Sequence, residues 1–139
     1  MADLILRTCE SDVFDDDESY LRAVPPAWVD SDGCPMRRGY QPSSKDDPAH
    51  LSGARSRKQD AAGLAAERAA QGRKVAGVWS HPITMLVDSG VRVVCDELCP
   101  GVEATGHTYL DMTEPALAAL GLDARELGEW LAMNATPEI

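Results

Sequence analysis

Two cysteines and a histidine in the second half of the chain have the residue types and the order of a metal site. Cys95, Cys99 and His107 follow one another as C-x₃-C-x₇-H, and thiolate and imidazole are the ligands that zinc prefers. A structural zinc site needs four ligands, and Cys34 or His81 could supply the fourth. We favour the alternative, a buried thiol at Cys95 and two loop residues. We therefore expect no metal and keep a small zinc-binding domain as an alternative.

The candidate nucleophiles lack the partners that covalent catalysis needs. Ser43 and Ser44 precede His50, but no nucleophile-elbow motif surrounds them, and the sequence places no base beside Cys99. The sequence contains neither a G-x-G-x-x-G nor a G-K-[ST] phosphate loop. No catalytic set is complete. We expect a protein that is not an enzyme and that carries no cofactor.

The charge of the chain is divided unevenly. The formal net charge is −10, which argues against general binding to nucleic acid or to anionic membrane. Residues 37–74 nevertheless hold nine of the 13 basic residues and only four acidic ones, so this segment is +5 and the remainder is −15. Such asymmetry indicates either a basic contact surface or a solvated loop and helix face.

Length and composition favour one domain in the cytoplasm. A chain of 139 residues can bury a hydrophobic core without disulfides. No apolar run is long enough to span a membrane, and the N-terminus does not resemble a signal peptide. The four cysteines are scattered, which is typical of reduced thiols rather than of a disulfide framework.

The segment Val75–Asp96 contains the two most apolar strands that the sequence predicts. Val75–Trp79 and Val91–Cys95 are rich in valine, and a short helix is expected between them. Ser80 is the expected cap of this helix, and Gly90 its end. We expect the two strands to pair in parallel, although the crossover is short for a parallel unit.

The remaining pattern predicts an α+β fold with a small mixed sheet, short helices packed on it and an irregular N-terminal half. We divide the single domain 1–139 into an acidic segment 1–20, a long loop 41–60 and a helical pair 113–139. The expected elements are strands at Leu21–Val24, around Arg38–Gln41 and at His107–Met112, a helix over 61–71 capped by Asp60, and C-terminal helices capped by Thr113 and Asp123.

Three stretches resemble a group of small uncharacterised bacterial proteins. The stretches are Leu21–Val29, Tyr40–Asp47 and Leu51-Ser52, and the pattern of the group runs approximately L-R-R-V-H-P-S-[FW], S-x-A-F-x-P-[ST]-x-K-D, L-S. Further counterparts are Gly77-Val78-Trp79 and His107–Leu110, so the resemblance covers about residues 20–112. The group implies no activity.

The strand order of that group is similar to the ADP-ribosyltransferase architecture. That likeness implies a dinucleotide held by an early arginine, a serine and a late acidic residue, here Arg22, Ser43 or Ser44, and Asp111. The histidine of the group is Pro25 here, and its serine before the aromatic residue is Arg37 or Arg38. If those positions are catalytic, these departures imply an inactive member.

We derive three functional hypotheses from these observations. The first is a non-catalytic domain that binds another protein, as an operon partner, immunity factor or accessory subunit of a bacterial system. The second is a degenerate or active ADP-ribosyltransferase-like nucleotide-binding enzyme, and the third is the zinc-binding domain. The expected contact residues of the first are Trp28, Tyr40, Lys45, Asp46 and His107. The expected catalytic residues of the second are Arg22, Ser44 and His107.

Overall fold

A computed structural model describes residues 5–43, 46 and 48–139 of the chain. It has six strands, four α-helices and two short 3₁₀ turns. The strands are β1 Ser19–Val24, β2 His50–Arg55, β3 Gly77–Pro82, β4 Val93–Cys95, β5 His107–Asp111 and β6 Thr136–Pro137. The helices are α1 Ala61–Ala70, α2 Ile83–Asp88, α3 Glu114–Leu120 and α4 Ala124–Met133, and the 3₁₀ turns are Pro26–Trp28 and Arg37–Tyr40.

The six strands form one open sheet in the order β4-β5-β2-β1-β3-β6. Each neighbouring pair is antiparallel. The prediction of a small α+β domain is confirmed. The predicted parallel pairing of the two valine-rich strands is wrong, since β3 lies between β1 and β6 while β4 pairs only with β5 among the named strands. The connection between β3 and β4 contains a helix of only six residues, and a parallel crossover needs a dozen residues or more.

Strand β3 is longer than its apolar run. It continues through Ser80 and His81 to Pro82, because the pairing with β1 extends from Gly77 opposite Val24 to Pro82 opposite Ser19. Helix α2 therefore begins at Ile83, and its cap position is Pro82 rather than the expected Ser80. The cross-strand pairing has overridden the local capping signal.

The helix starts that the sequence predicts are largely present. Asp60 caps α1, where its Oδ1 accepts a hydrogen bond of 2.6 Å from the Gly63 amide. Asp123 caps α4 in a reciprocal capping box with Glu126. Thr113 occupies the cap position of α3 but makes no side-chain cap bond there, because its hydroxyl donates to Asp111 at 2.6 Å.

The two faces of the sheet carry two hydrophobic clusters. The larger joins helices α2 and α4 to the sheet through Tyr20, Leu51, Leu110 and Leu131, among others. The smaller joins α1 to β1 and β3 through Leu21, Ala54, Leu64 and Val78. Val78 is 0% and Val93 is 3% exposed, so the two valine-rich strands lie inside the protein as expected.

Two expectations about the N-terminal half are corrected. The strand predicted around Arg38–Gln41 is a 3₁₀ turn, Arg37–Tyr40, in which Gly39 approaches the side chain of Val24. The expectation of reduced thiols is wrong for Cys9, which forms a disulfide with Cys99. Ser11 forms a bridge with Cys95 beside that disulfide, so the N-terminal segment is held against the edge of the sheet. Among the described residues, no helix is long and apolar enough to cross a membrane.

Candidate anion-binding cleft

Strands β1 and β2 separate in the middle of the sheet. Their pairing is limited to Tyr20 with Arg55 and Leu21 with Ala54, although both strands continue beyond it. Arg22 lies where they part, and its Nε donates to the Gly39 carbonyl at 2.5 Å while its Nη1 donates to the Ser52 carbonyl at 2.5 Å. The guanidinium is thus fixed in place by two backbone carbonyls, and these two bonds use two of the five N–H donors of an arginine.

A cavity of about 310 Å³ adjoins Arg22. Its walls come from β1, from the 3₁₀ turn after it, from the end of α1 and from the segment before β3. The lining residues are Arg22, Ala23, Pro25, Trp28, Ser52, Arg68, Arg73, Lys74 and Val75. Four of these residues carry a positive charge, and no carboxylate is among the lining residues that the structure describes.

A second cavity of about 290 Å³ shares four of these residues, Arg22, Trp28, Ser52 and Arg73. It extends along the loop before β2, and its additional lining residues are Gln41, Pro42, Ser43, Asp46, His50 and Leu51. We call the two cavities together the basic cleft, the cavity with Arg68 its first chamber and the cavity with His50 its second chamber. Volumes of this size are typical of sites for small ligands.

The positive charges of the first chamber have little direct compensation in the part of the chain that the structure describes. The carboxylate of Glu67 acts on the charge of Arg68 from the same helix. Several other arginines are paired directly, as Arg55 is with Glu18 at 2.7 Å and Arg92 with Asp111 at 2.6 Å. Within the described parts of the chain, none of the four cations of the first chamber makes an ion pair.

The pKa of Arg68 reflects its burial and its charged neighbours. Burial lowers the pKa of its guanidinium below the usual value, the positive charges of Arg73 and Arg22 lower it further, and Glu67 and Tyr20 raise it in part. A guanidinium nevertheless stays protonated in proteins. A bound anion would relieve the unfavourable energy of these neighbouring like charges, so the first chamber is suited to an anionic group.

The structure brings only part of the predicted protein-contact set together. Trp28 and Asp46 line the basic cleft, and Lys45 lies outside the described residues. Tyr40 is 0% exposed and contacts the ring of His81 edge-on at 5.4 Å, so its place on an exposed contact surface is corrected. His107 lies away from the cleft with its Nδ1 2.5 Å from Oδ1 of Asp96.

The structure brings together only part of the set that the transferase likeness implies. Arg22 and Ser43 both line the second chamber, whereas His107 is among the lining residues of neither chamber. Ser44 lies outside the described residues. Asp111 is engaged by Arg92 at 2.6 Å and by the amide and hydroxyl of Thr113.

The alternative zinc set is corrected by the disulfide. Cys99 is bonded to Cys9 and has no thiolate to offer a metal beside Cys95 and His107. Cys34, one proposed fourth ligand, is exposed, while Cys95 is buried. His81 is buried with its Nε2 2.7 Å from the Leu131 carbonyl oxygen. No group of three or more potential ligands is present in residues 5–43, 46 and 48–139.

Arg68, Arg73 and Lys74 are not among the site residues predicted from the sequence. They lie in the last turn of α1 and in the segment after it, a region expected to form only a marginal helix. The available signal was the charge of +5 over residues 37–74. Sequence alone could not show that Arg22 of β1 would join them, because that contact depends on the separation of β1 and β2.

A third cavity, of about 450 Å³, lies beside the N-terminal segment. It is lined by charged and polar residues that already bond one another. The Tyr109 hydroxyl donates to Glu10 at 2.6 Å, Arg92 pairs with Asp111 at 2.6 Å, and the His50 ring stacks on Tyr109 with centroids 3.6 Å apart. The arginines of this cavity are accompanied by carboxylates, whereas the first chamber of the basic cleft is lined by four cations. The third cavity is therefore less suited to an anion.

No protein-family model matches the chain, and no curated protein or solved structure is significantly similar to it. The resemblance to small bacterial proteins therefore stays a prediction. The three stretches on which it was based meet at one place. Residues of all three, including Arg22, Pro42 and Ser52, line the second chamber of the basic cleft.

Proposed function

We propose that this protein is a non-catalytic binding domain that holds an anionic group of its ligand in the basic cleft. The observation that carries the proposal is the set of four cations, Arg22, Arg68, Arg73 and Lys74, around one cavity in a protein of net charge −10. Positive charges gathered against the overall charge raise the local concentration of an anion and strengthen its binding.

The guanidinium of Arg22 supports the proposal because it is already oriented. Its bonds to the carbonyls of Gly39 and Ser52 already fix the side chain before a ligand binds. Binding therefore costs little further side-chain entropy, and such preorganisation increases affinity. Arg73 and Lys74 are exposed. They can therefore attract an anion from solvent, while Arg68 and Arg22 are half-buried and would hold it at depth.

Titration calorimetry with inorganic pyrophosphate tests the proposal. We expect pyrophosphate to bind the wild-type protein with one site, and we expect the double variant Arg68→Ala, Arg73→Ala to bind at least tenfold more weakly. The matched control is Arg125→Ala, which removes an exposed arginine of α4 that pairs with Glu129 at 3.3 Å. Equal affinity for the wild type and the double variant would contradict the proposal.

A protein partner remains a second candidate for the ligand of the same cleft. It is favoured by Trp28 and Asp46, two of the expected contact residues, which both line the second chamber. An acidic side chain of such a partner would present its carboxylate to the same cations. Purification from the native host at physiological salt should then retain a protein partner, and adding pyrophosphate should release it. A partner that stays bound in pyrophosphate would bind outside the basic cleft.

A further inference from the structure

We infer that the ligand of the basic cleft is a nucleoside phosphate, with its phosphates at Arg68, Arg73 and Lys74 and its base against Trp28. The inference rests on the proposed function and names the class of ligand. It involves no transfer of a group and no catalytic step. Of the four cations of the first chamber, Arg22 is also implied by the transferase likeness, whereas Arg68, Arg73 and Lys74 are not.

One end of the cleft is strongly cationic. The first chamber has two half-buried guanidinium groups, Arg22 and Arg68, and two exposed cations, Arg73 and Lys74. A single carboxylate needs one guanidinium, because the two planar groups match in a bidentate pair. Phosphates present more oxygens and up to two charges each, so a cluster of four cations is better matched by one or two phosphates.

An aromatic side chain lies beside the cations. Trp28 lines both chambers and is half-buried, so part of its side chain is accessible to a ligand in the cleft. Aromatic rings bind nucleobases by stacking, whichever base is offered. Inorganic phosphate or an acidic side chain would leave this contact unused.

The second chamber adds polar side chains. Arg68 and Lys74 line only the first chamber, whereas Asp46, the Gln41 amide and His50 line only the second. These groups can donate and accept hydrogen bonds, as the edge of a base or the hydroxyls of a ribose require. Trp28 lines both chambers together with Arg22 and Arg73, so a nucleoside phosphate fits with its phosphates at the first chamber and its base or ribose toward the second.

Comparison of ADP, ribose 5-phosphate and pyrophosphate by titration calorimetry separates this inference from the proposed function. If pyrophosphate binds and ADP binds at least tenfold more tightly, the nucleoside part is recognised. If pyrophosphate binds and ADP is no tighter, the inference is overturned while the proposed function stands. If none of the three compounds binds, both are overturned.

Substitution of Trp28 locates the base. We expect Trp28→Ala to weaken ADP about tenfold, in keeping with the loss of one stacking contact, and to change pyrophosphate affinity less than twofold. Trp28→Phe keeps a ring and should restore most of the ADP affinity. Trp130→Ala, on α4 outside both chambers, is the control. Equal loss of ADP and pyrophosphate in Trp28→Ala, with no recovery in Trp28→Phe, would show that Trp28 only supports the fold.

Discussion

Gly53 is the residue that allows β1 and β2 to approach before they separate at the cleft. A Cβ at this position would lie 2.4 Å from the Leu21 carbonyl oxygen and 2.4 Å from the ring of Tyr20. Neither neighbour can move easily, because one belongs to the backbone of the central sheet and the other is 0% exposed. The absence of a side chain at Gly53 is therefore a requirement of the sheet.

We predict that Gly53→Ala lowers the free energy of unfolding by about 1–3 kcal/mol, the usual cost of overfilling a packed interior. Urea denaturation measures it. The matched control is Gly63→Ala in α1, where the atoms nearest to the added methyl belong to the movable side chains of Gln59 and Asp60. This control should keep or raise stability, by up to about 1 kcal/mol, because alanine favours helix over glycine. A Gly53→Ala protein as stable as the wild type would refute the prediction.

His50 gives the second chamber a dependence on pH. Burial lowers the pKa of its imidazole below the usual 6.5, while the carboxylates of Asp111, Glu10 and Asp96 raise it and the charge of Arg92 lowers it. His50 is therefore mainly neutral at pH 7, and protonation in the acid range would add a positive charge to the wall of the cleft.

We predict that sulfate, whose own charge is constant over this range, binds more tightly as the pH falls from 7 to 5. The sign follows because the protonated imidazole attracts the anion and the neutral one does not. Calorimetric titrations at several pH values measure the effect, and His50→Gln should flatten the profile. An affinity of the wild type that does not change with pH would exclude His50 from the anion site.

At the scale of elements, local signals predicted the helices and long-range pairing decided the sheet. Asp60 and Asp123 cap α1 and α4 as expected, because a cap depends on residues within one turn. Strand β2 was not predicted at all, since His50–Arg55 contains a glycine and a serine and little apolar surface. It lies in the middle of the sheet between β1 and β5, held by partners distant in sequence.

The cleft could be predicted from the sequence only in part, for the same reason. Trp28 and Arg22 were singled out from the resemblance and from their residue types, and both line the cleft. Arg68, Arg73 and Lys74 come to Arg22 because α1 packs on β1 and β3, where Leu64 meets Leu21 and Val78. That packing follows from the order of the strands, which local sequence patterns do not encode.

The capping box of α4 makes an element-scale prediction. Asp123 accepts a hydrogen bond of 2.8 Å from the Glu126 amide, and helix α4 supplies the buried side chains of Leu127 and Leu131 to the larger cluster. We expect Asp123→Ala to cost about 1 kcal/mol of stability. Urea denaturation measures this loss of stability. The control is Glu129→Ala on the exposed face of α4, whose free energy of unfolding should stay within about 0.5 kcal/mol of the wild type.

At the scale of the whole molecule, the Cys9–Cys99 disulfide closes a loop of sequence separation 90. Linking residues so far apart restricts the unfolded chain, and disulfides of this kind typically contribute about 2–4 kcal/mol. We predict that the double variant Cys9→Ser, Cys99→Ser is less stable by that amount in denaturation experiments. A reducing agent should destabilise the wild type in the same way and leave the double variant unchanged.

The same double variant also separates stability from binding. Neither cysteine lines the basic cleft, so the folded variant should bind pyrophosphate with the affinity of the wild type. A loss of affinity in the folded variant would show that the segment held by the disulfide contributes to the anion site.

The fold places several cations of the basic segment 37–74 in the cleft, which explains how a protein of net charge −10 can hold an anion. The remainder of the chain is net acidic, and three arginines and a lysine are concentrated in one concave place. Such an arrangement favours a small anionic ligand over a nucleic acid, because the net charge of −10 opposes the approach of a polyanion.

The most direct test is a titration of ¹⁵N-labelled protein with ADP, followed by amide chemical shifts. The account predicts that the largest shifts fall on Ala23, Ser52, Arg68, Arg73 and the indole N–H of Trp28, which all belong to residues lining the first chamber. Shifts concentrated instead at Arg7, Glu10, Arg92 and Tyr109, around the third cavity, or no shifts at all, would contradict it.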